Sequence, residues 1–360
     1  MSTDGAAMRW QGINYDTGTR YGPDADSRPD WSPSTLRRQI GTIADELHAN
    51  AVNVFGSDPN RLHDAARVGL ENGLTVWVQP RLPDADQDTT IAHLAEVAEV
   101  AEALRVAGGD VRVNVGCEFT IFTAGLIPGR GFERRAARLA WMWPLLPAFN
   151  WRLNRLLAQA ATTARERFGG EITYAAGSWE SVAWGRFDAV GLNHYRDASN
   201  YQDYATVLRL ARRHHKPVLV TEFGCCSYPG ADTRGAEGDG IIDWDHADGP
   251  VVVGDHPRDE TVQARYIADL LDTFAVVGVD GAFVFEYSEP LYERRDDHRV
   301  DLDVASFGIV AVETVDTPDG LRYRETPKAA FAEIATRYRD AYIAGGDPRI
   351  SRGRPPGRAR

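Results

Sequence analysis

Cysteine is nearly absent from this 360-residue chain, which holds three: Cys117, Cys225 and Cys226. The last two are sequence neighbours and would rarely pair with each other, so no disulfide framework is visible and a reducing compartment fits. No uninterrupted apolar run approaches about 18 residues, so no membrane-spanning helix is expected. The opening Met-Ser-Thr-Asp-Gly-Ala-Ala-Met lacks a basic stretch followed by an apolar one. No signal peptide is therefore expected, and the expected location is cytoplasmic. Basic charge is in deficit, with 40 Lys and Arg against 52 Asp and Glu and a net charge of −12. Phosphate binding wants the opposite balance, so nucleic acid is not an expected partner. Gly-rich phosphate loops, CxxC pairs and HExxH are missing, and so is a G-x-S-x-G nucleophile elbow. NAD, ATP, zinc and a serine nucleophile thus have no support, and no cofactor is expected. The acidic run 239–248 lacks the ligand spacing of a calcium loop.

What is present is a repeated alternation. Apolar runs dense in Val, Ile, Phe, Ala and Gly lie at 9–15, 51–55, 75–79, 111–117, 172–176, 189–193, 218–221 and 282–285. They hardly alternate with polar residues, as expected for parallel strands covered on both faces. Stretches with apolar residues at helical spacing fall between them, at 34–48, 60–72, 90–107, 154–168, 201–214 and 261–276. Eight strands with helical returns predict an α/β fold, a (β/α)8 TIM barrel, in place of an open sheet. One domain is expected over 1–344, with a basic, disordered tail at 345–360. Two connections are long, 123–151 with its Trp141-Met-Trp143-Pro-Leu-Leu-Pro147 stretch and 228–259, rich in Gly and Asp. Both follow strands of interest below, where they would rise at the catalytic rim. For the Trp-rich stretch, packing on the barrel wall or a dimer contact is an equal reading.

The chemistry is carried by two glutamates. The run Val-Arg-Val-Asn-Val-Gly-Cys-Glu-Phe (111–119) ends on Glu118, and Pro-Val-Leu-Val-Thr-Glu-Phe-Gly (217–224) carries Glu222. At the C-terminal face of a barrel two such carboxylates would oppose each other. Opposed carboxylates are the usual equipment for cleaving a glycosidic bond: one protonates the leaving oxygen, and the other, about 5–5.5 Å away in a retaining enzyme, attacks the anomeric carbon. Either glutamate alone is as well read as a polar strand end.

These segments resemble the clan of retaining (β/α)8-barrel glycoside hydrolases with catalytic glutamates on strands 4 and 7. Val-Gly-Cys-Glu118 and Val-Thr-Glu222-Phe-Gly look like its catalytic strands. Phe187-Asp-Ala-Val-Gly-Leu-Asn-His-Tyr195 is similar to the sixth strand, and Gly281-Ala-Phe-Val-Phe-Glu-Tyr287 to the eighth. Ser306-Phe-Gly-Ile-Val and Thr326-Pro-Lys-Ala-Ala-Phe resemble the last loop and closing helix. The resemblance implies a carbohydrate substrate, with Glu118 as acid/base, Glu222 as nucleophile and Tyr195 hydrogen-bonded to Glu222. It places Phe285 as a sugar platform and Asn193, His194, Trp179 and Tyr287 around the substrate. His194 and Phe285 also read well as structural residues. Two positions depart from the clan. Cys117, a poor hydrogen-bond donor, stands where most members have Asn, and Asn53 stands where many have an Arg beside the nucleophile. Arg81, after the third strand, is the candidate replacement. The alternatives are a transglycosylase on the same residues and an inactive barrel that binds a carbohydrate or a partner protein.

Overall fold

In the computed structural model, residues 8–22, 25–29, 31–139, 141–317 and 320–345 are described. The proposed tail therefore lies outside the described residues from 346 on. Eight parallel strands close into a barrel: β1 (Trp10–Asp16), β2 (Ala51–Gly56), β3 (Thr75–Pro80), β4 (Val111–Cys117), β5 (Ile172–Ala176), β6 (Val190–Asn193), β7 (Val218–Phe223) and β8 (Gly281–Val284). Closure is made by β1, which pairs with β2 from Gly12–Ala51 onward and with β8 from Trp10–Gly281 onward. Nearly every strand residue is buried, because helices cover the outer face and side chains fill the inner one.

Seven helices return the chain or close it: α1 (Pro33–Asp45), α2 (Pro59–Glu71), α3 (Gln87–Val106), α4 (Leu146–Arg167), α5 (Tyr204–Ala211), α6 (Glu260–Val277) and α7 (Ala329–Gly345). Their starts are written locally. Ser32, Asp58, Asp86 and Asp259 each cap a helix by accepting a backbone N–H at 2.8–3.2 Å. Each such cap contributes about 1 kcal/mol. The expected alternation fails once. Between β5 and β6 there is only a single 3-10 turn, Trp184–Arg186. Trp184 and Phe187 are buried there, with ring centroids 5.8 Å apart, and fill the wall where a helix would lie.

Both long connections hold structure of their own. The first contains a short helix, Phe132–Leu139, and the opening turns of α4, which begins earlier than the periodicity suggested. The second contains 3-10 turns and a small ribbon pairing Ile242–Asp243 with Val251–Val252. After β8, an antiparallel hairpin of β9 (Val310–Thr317) and β10 (Gly320–Pro327) leads into α7.

The barrel interior is layered. At the N-terminal end Trp10, Ala51, Trp77, Ala189, Leu219 and Phe283 form an apolar plug. Gly12 is required beside it, since a Cβ there would stand 2.2 Å from the Phe283 ring. Above the plug lies an amide layer. Asn53 donates to Asn14 (2.7 Å) and to Gln79 (3.1 Å), Asn114 donates to Gln79 (2.7 Å), and Asn14 donates to the Thr221 carbonyl (2.9 Å). Above the amides, at the C-terminal mouth, stand the charged groups. Among the described residues no helix is long and apolar enough to cross a membrane.

Candidate active site

The end of β4 is built to turn a carboxyl toward the mouth. The β4–β5 ladder shifts register between Asn114 and Cys117. Such irregularities re-aim side chains. Gly116 packs under the ring of Phe119, where a Cβ would approach to 2.2 Å. Glu118 itself is left-handed, with φ 41° and ψ 50°. A non-glycine residue there costs about 1–2 kcal/mol. Two hydrogen bonds hold it: Glu118 N–H to the Ala175 carbonyl at 2.9 Å, and Phe119 N–H to the Tyr174 hydroxyl oxygen at 2.6 Å. The Glu118 carboxyl then accepts from the Asn193 amide at 3.0 Å.

The end of β7 does the same from the other side. A register shift between β6 and β7 sets Asn193 opposite Glu222. Thr221 donates to the Asn193 side-chain oxygen at 2.8 Å and thereby orients the amide that reaches Glu118. Glu222 is buried and ion-paired with Arg81, accepts from the Tyr195 hydroxyl at 3.2 Å, and has the Cys117 sulfur 3.6 Å from its carboxylate. Arg81 is itself held in place, its guanidinium carbon 4.0 Å from the centroid of the Phe55 ring. Asn193 also reaches the Cys117 sulfur, at 3.2 Å. Cys117 thus links Glu222 to the Asn193 amide that holds Glu118.

The electrostatics separate the glutamates. Burial, then the negative charge of Glu222 and then that of Glu180 together push the Glu118 carboxyl up to about 8. Glu180 is half-buried near Glu118, where it accepts from Thr120 N–H (3.0 Å), the Thr120 hydroxyl (2.6 Å) and the Tyr174 hydroxyl (2.8 Å). Burial, and then the Glu222 charge, raise the Cys117 thiol well above its ordinary value. Burial and the same charge raise the Tyr195 hydroxyl. Both remain proton-bearing at neutral pH. The arrangement offers a protonated carboxyl facing a carboxylate with its own arginine countercharge. That division of labour suits acid/base and nucleophilic chemistry at one centre.

Glu118, Glu222, Tyr195, Arg81 and Phe285 line one cleft of about 650 Å³ at the C-terminal mouth. The other expected residues lie elsewhere. Asn193 is beneath the pair, joining them. His194 faces outward from the barrel, stacked on Tyr204 at 4.0 Å, with its Nε2 3.1 Å from the Tyr204 carbonyl. Trp179 donates from its indole nitrogen to the Thr120 hydroxyl at 2.7 Å, behind the Glu118 loop. Asn53 belongs to the amide layer below, and Tyr287 is buried against Tyr15, 6.2 Å between ring centroids. Sequence reasoning passed over Asp16, Glu286 and Glu289, which also line the cleft, and Glu180. Glu286 follows Phe285 directly and Glu289 comes three residues later, so position after the eighth strand was the available signal.

No family model matches the chain, and no curated protein matches it in sequence. Solved structures do match in fold. A GH113 β-1,4-mannanase superposes with a TM-score of 0.59 at 14% identity, covering 92% of this chain and 99% of the other. A β-glucosidase gives 0.53 at 15% identity over 92% of this chain and 98% of the other. A Bacteroides uniformis β-glucuronidase gives 0.52 at 15%, covering 92% of this chain but 35% of its own longer one. At such identity the likeness is one of fold: this chain is a closed, eight-stranded parallel barrel similar to those of glycoside hydrolases.

Proposed function

We propose that the protein is a retaining O-glycoside hydrolase, with Glu222 as nucleophile and Glu118 as acid/base. The observation that carries this reading is the pairing of a carboxyl raised to about 8 with a second carboxylate bound to Arg81 in the same cleft. The fold neighbours, a mannanase, a glucosidase and a glucuronidase by name, are in keeping with it. Glu222 attacks the anomeric carbon while Glu118 gives its proton to the departing oxygen. Water then enters, Glu118 takes its proton, and the glycosyl–Glu222 bond breaks with net retention. Tyr195 and Arg81 hold the carboxylate in line, and Phe285 offers a face to the sugar ring. Arg81 supplies from β3 the positive charge that Asn53 does not supply from β2. This favours a working enzyme over an inactive binding barrel.

The test is a screen of aryl glycosides of both anomers, followed by Glu222→Ala. Turnover should fall to background, and azide should restore part of it while giving a glycosyl azide of inverted configuration. A Glu222→Ala protein near the wild-type rate removes the assignment. The same substrates with an added alcohol acceptor separate hydrolysis from transglycosylation by the product formed.

A further inference from the structure

The cleft is unusually one-signed. Seven of its lining side chains are Asp or Glu, and a single one, Arg81, is basic. Arg81 is already committed to Glu222. Apart from the catalytic pair, Asp16, Glu133, Asp239, Glu286 and Glu289 face the same space, and none of these five has an ion-pair partner among the described residues.

The carboxyls fall into two groups. The charges acting most on Glu118 are those of Glu222 and Glu180, whereas those acting most on Glu286 are Glu289 and Asp16. The second group is the one around Glu286, and Arg81, which pairs with Glu222, acts on it too. Within it, Asp16 accepts from Gly18 N–H (2.9 Å) and the Thr19 hydroxyl (3.1 Å), and Glu289 accepts from Phe307 N–H at 2.6 Å. Glu286 is different. Its side chain is 3% exposed, it lines the cleft, and its Oε2 has no hydrogen-bond partner among the described residues. A buried carboxylate oxygen left unpaired is costly, so it marks a place where a ligand's donor belongs. Arg28, whose charge acts on Glu286 and Asp16, spends hydrogen bonds on the Ser288 carbonyl (3.1 Å) and hydroxyl (3.0 Å) and does not line the cleft.

Burial, with the charge of Asp239, raises the Glu289 carboxyl to about 7, and burial with the charges of Glu289 and Asp16 raises Glu286 well above its ordinary value. Acidic side chains thus outnumber basic ones here, with Arg81 the one basic side chain among the described residues lining the cleft. A resident metal is not indicated, since no three described His, Cys, Asp or Glu side chains converge as a metal-holding set. The missing charge is best brought by the substrate itself.

We propose that this end of the cleft recognises a positively charged sugar, an amino sugar with a free ammonium group, through Glu286 together with Glu289 and Asp16. The inference rests on the glycosidase reading and names its substrate class. An ammonium gives charge-assisted hydrogen bonds, roughly twice as strong as those of a hydroxyl. Phe285 and the edge-to-face pair of Trp244 and Tyr292, 5.3 Å apart, supply aromatic walls that also suit a cation. A uronic acid offers these carboxyls no countercharge.

The experiment uses the full chain and 4-nitrophenyl glycosides of one parent sugar. At C2, C3, C4 or C6 in turn the hydroxyl is replaced by a free amine or by the N-acetylated amine, and the C6 carboxylate is included. One amine should exceed its hydroxyl parent in kcat/KM by about tenfold or more. N-acetylation at the same position should remove the gain, and the uronide should be the poorest of the set. Glu286→Gln and Glu289→Gln should each lower the amine-to-hydroxyl ratio by about tenfold. A parent preferred over all its amines, or a ratio that neither variant changes, overturns the proposal and leaves the hydrolase reading intact. If no glycoside turns over, calorimetric binding of the free amino and hydroxyl sugars decides. Preference for the amino sugar that is lost in Glu286→Gln upholds this inference while the hydrolase reading fails, and equal or absent binding overturns it.

Discussion

The barrel has a concavity at each end, and the two are nearly the same size. One, at the C-terminal mouth, is about 650 Å³; the other, around Arg9, Trp10, Asn50, Arg67, Asp110 and Arg112 at the N-terminal end, is about 660 Å³. Volume does not tell them apart, but chemistry does. At the N-terminal end the charges answer one another. Arg112 is bound by Asp110 at 2.7 Å and Glu171 at 2.6 Å, and Arg67 pairs with Glu71. Thr75 donates to Asp110 at 2.8 Å, and Arg112 lies 5.1 Å from the Trp10 ring and 5.7 Å from Trp77. At the C-terminal end, carboxyls stand beside other carboxyls, and one buried carboxylate oxygen lacks a partner among the described residues. Unbalanced charge is tolerated where a ligand or a reaction uses it, and paired charge marks the end that holds the barrel shut.

The sharpest way to break this contrast is to mutate the two ends and compare rate with stability. Glu118→Ala should lower kcat on glycosides with poor leaving groups by about 10²–10⁴-fold. Substrates with activated aryl leaving groups, which need little protonation, should lose far less in the glycosylation step. A uniform loss across leaving groups would deny Glu118 the acid role. At the other end, Trp77 is 2% exposed and meets Trp10 and Phe283 edge-on at 5.8 and 6.4 Å. Trp77→Ala should cost about 3–5 kcal/mol of unfolding free energy, measured by denaturant titration. The folded fraction should keep its kcat. A selective loss of kcat in folded Trp77→Ala protein would mean that the two ends are coupled through the amide layer.

How far the two ends were legible in sequence follows from the same physics. The plug and its strands were readable because strands buried on both faces are apolar runs bounded by turn residues. All eight observed strands lie within two residues of the expected bounds. The pair Glu118 and Glu222 stood out as carboxylates at the ends of such runs, and Arg81 was found by its place after the third strand. Helix α4 was harder, because Pro144 and Pro147 look like breakers when read singly. Proline is tolerated in the first helical turn, so α4 begins at Leu146, inside a stretch read as loop. The β5–β6 link had no helical spacing to find. Asn53, read as a cleft residue, belongs to an amide layer whose partners come from four strands, and such a layer has no local signature. Glu286 and Glu289 resemble any polar residues after a strand. Only the closed barrel shows that both line the cleft, with Glu286 buried and Glu289 half-buried.

The smallest expected effect is also the most diagnostic of the charged end. Burial, Glu222 and Glu180 together hold Glu118 protonated up to about 8. In the proposed mechanism the acid form protonates the leaving oxygen, so kcat/KM for unactivated substrates should fall as pH rises through about 8. In Glu180→Gln one of the two raising charges is gone, and this limb should move to lower pH. The linkage has a definite sign. The folded state holds the Glu118 proton more tightly than the unfolded chain does, so this group weakens the fold as pH rises from the ordinary carboxylate range toward about 8, and weakens it fully above that. Glu118→Gln, which cannot ionise, should therefore melt higher than the wild type above pH 8. The difference should shrink as pH falls toward 4, where both side chains are neutral. The melting series needs no substrate, so it reads the electrostatics of the cleft apart from its catalysis. A Glu118→Gln protein whose melting temperature tracks that of the wild type across this range would show that the carboxyl ionises in the fold as easily as in water. The contrast between a satisfied end and an unbalanced one would then lose its main support.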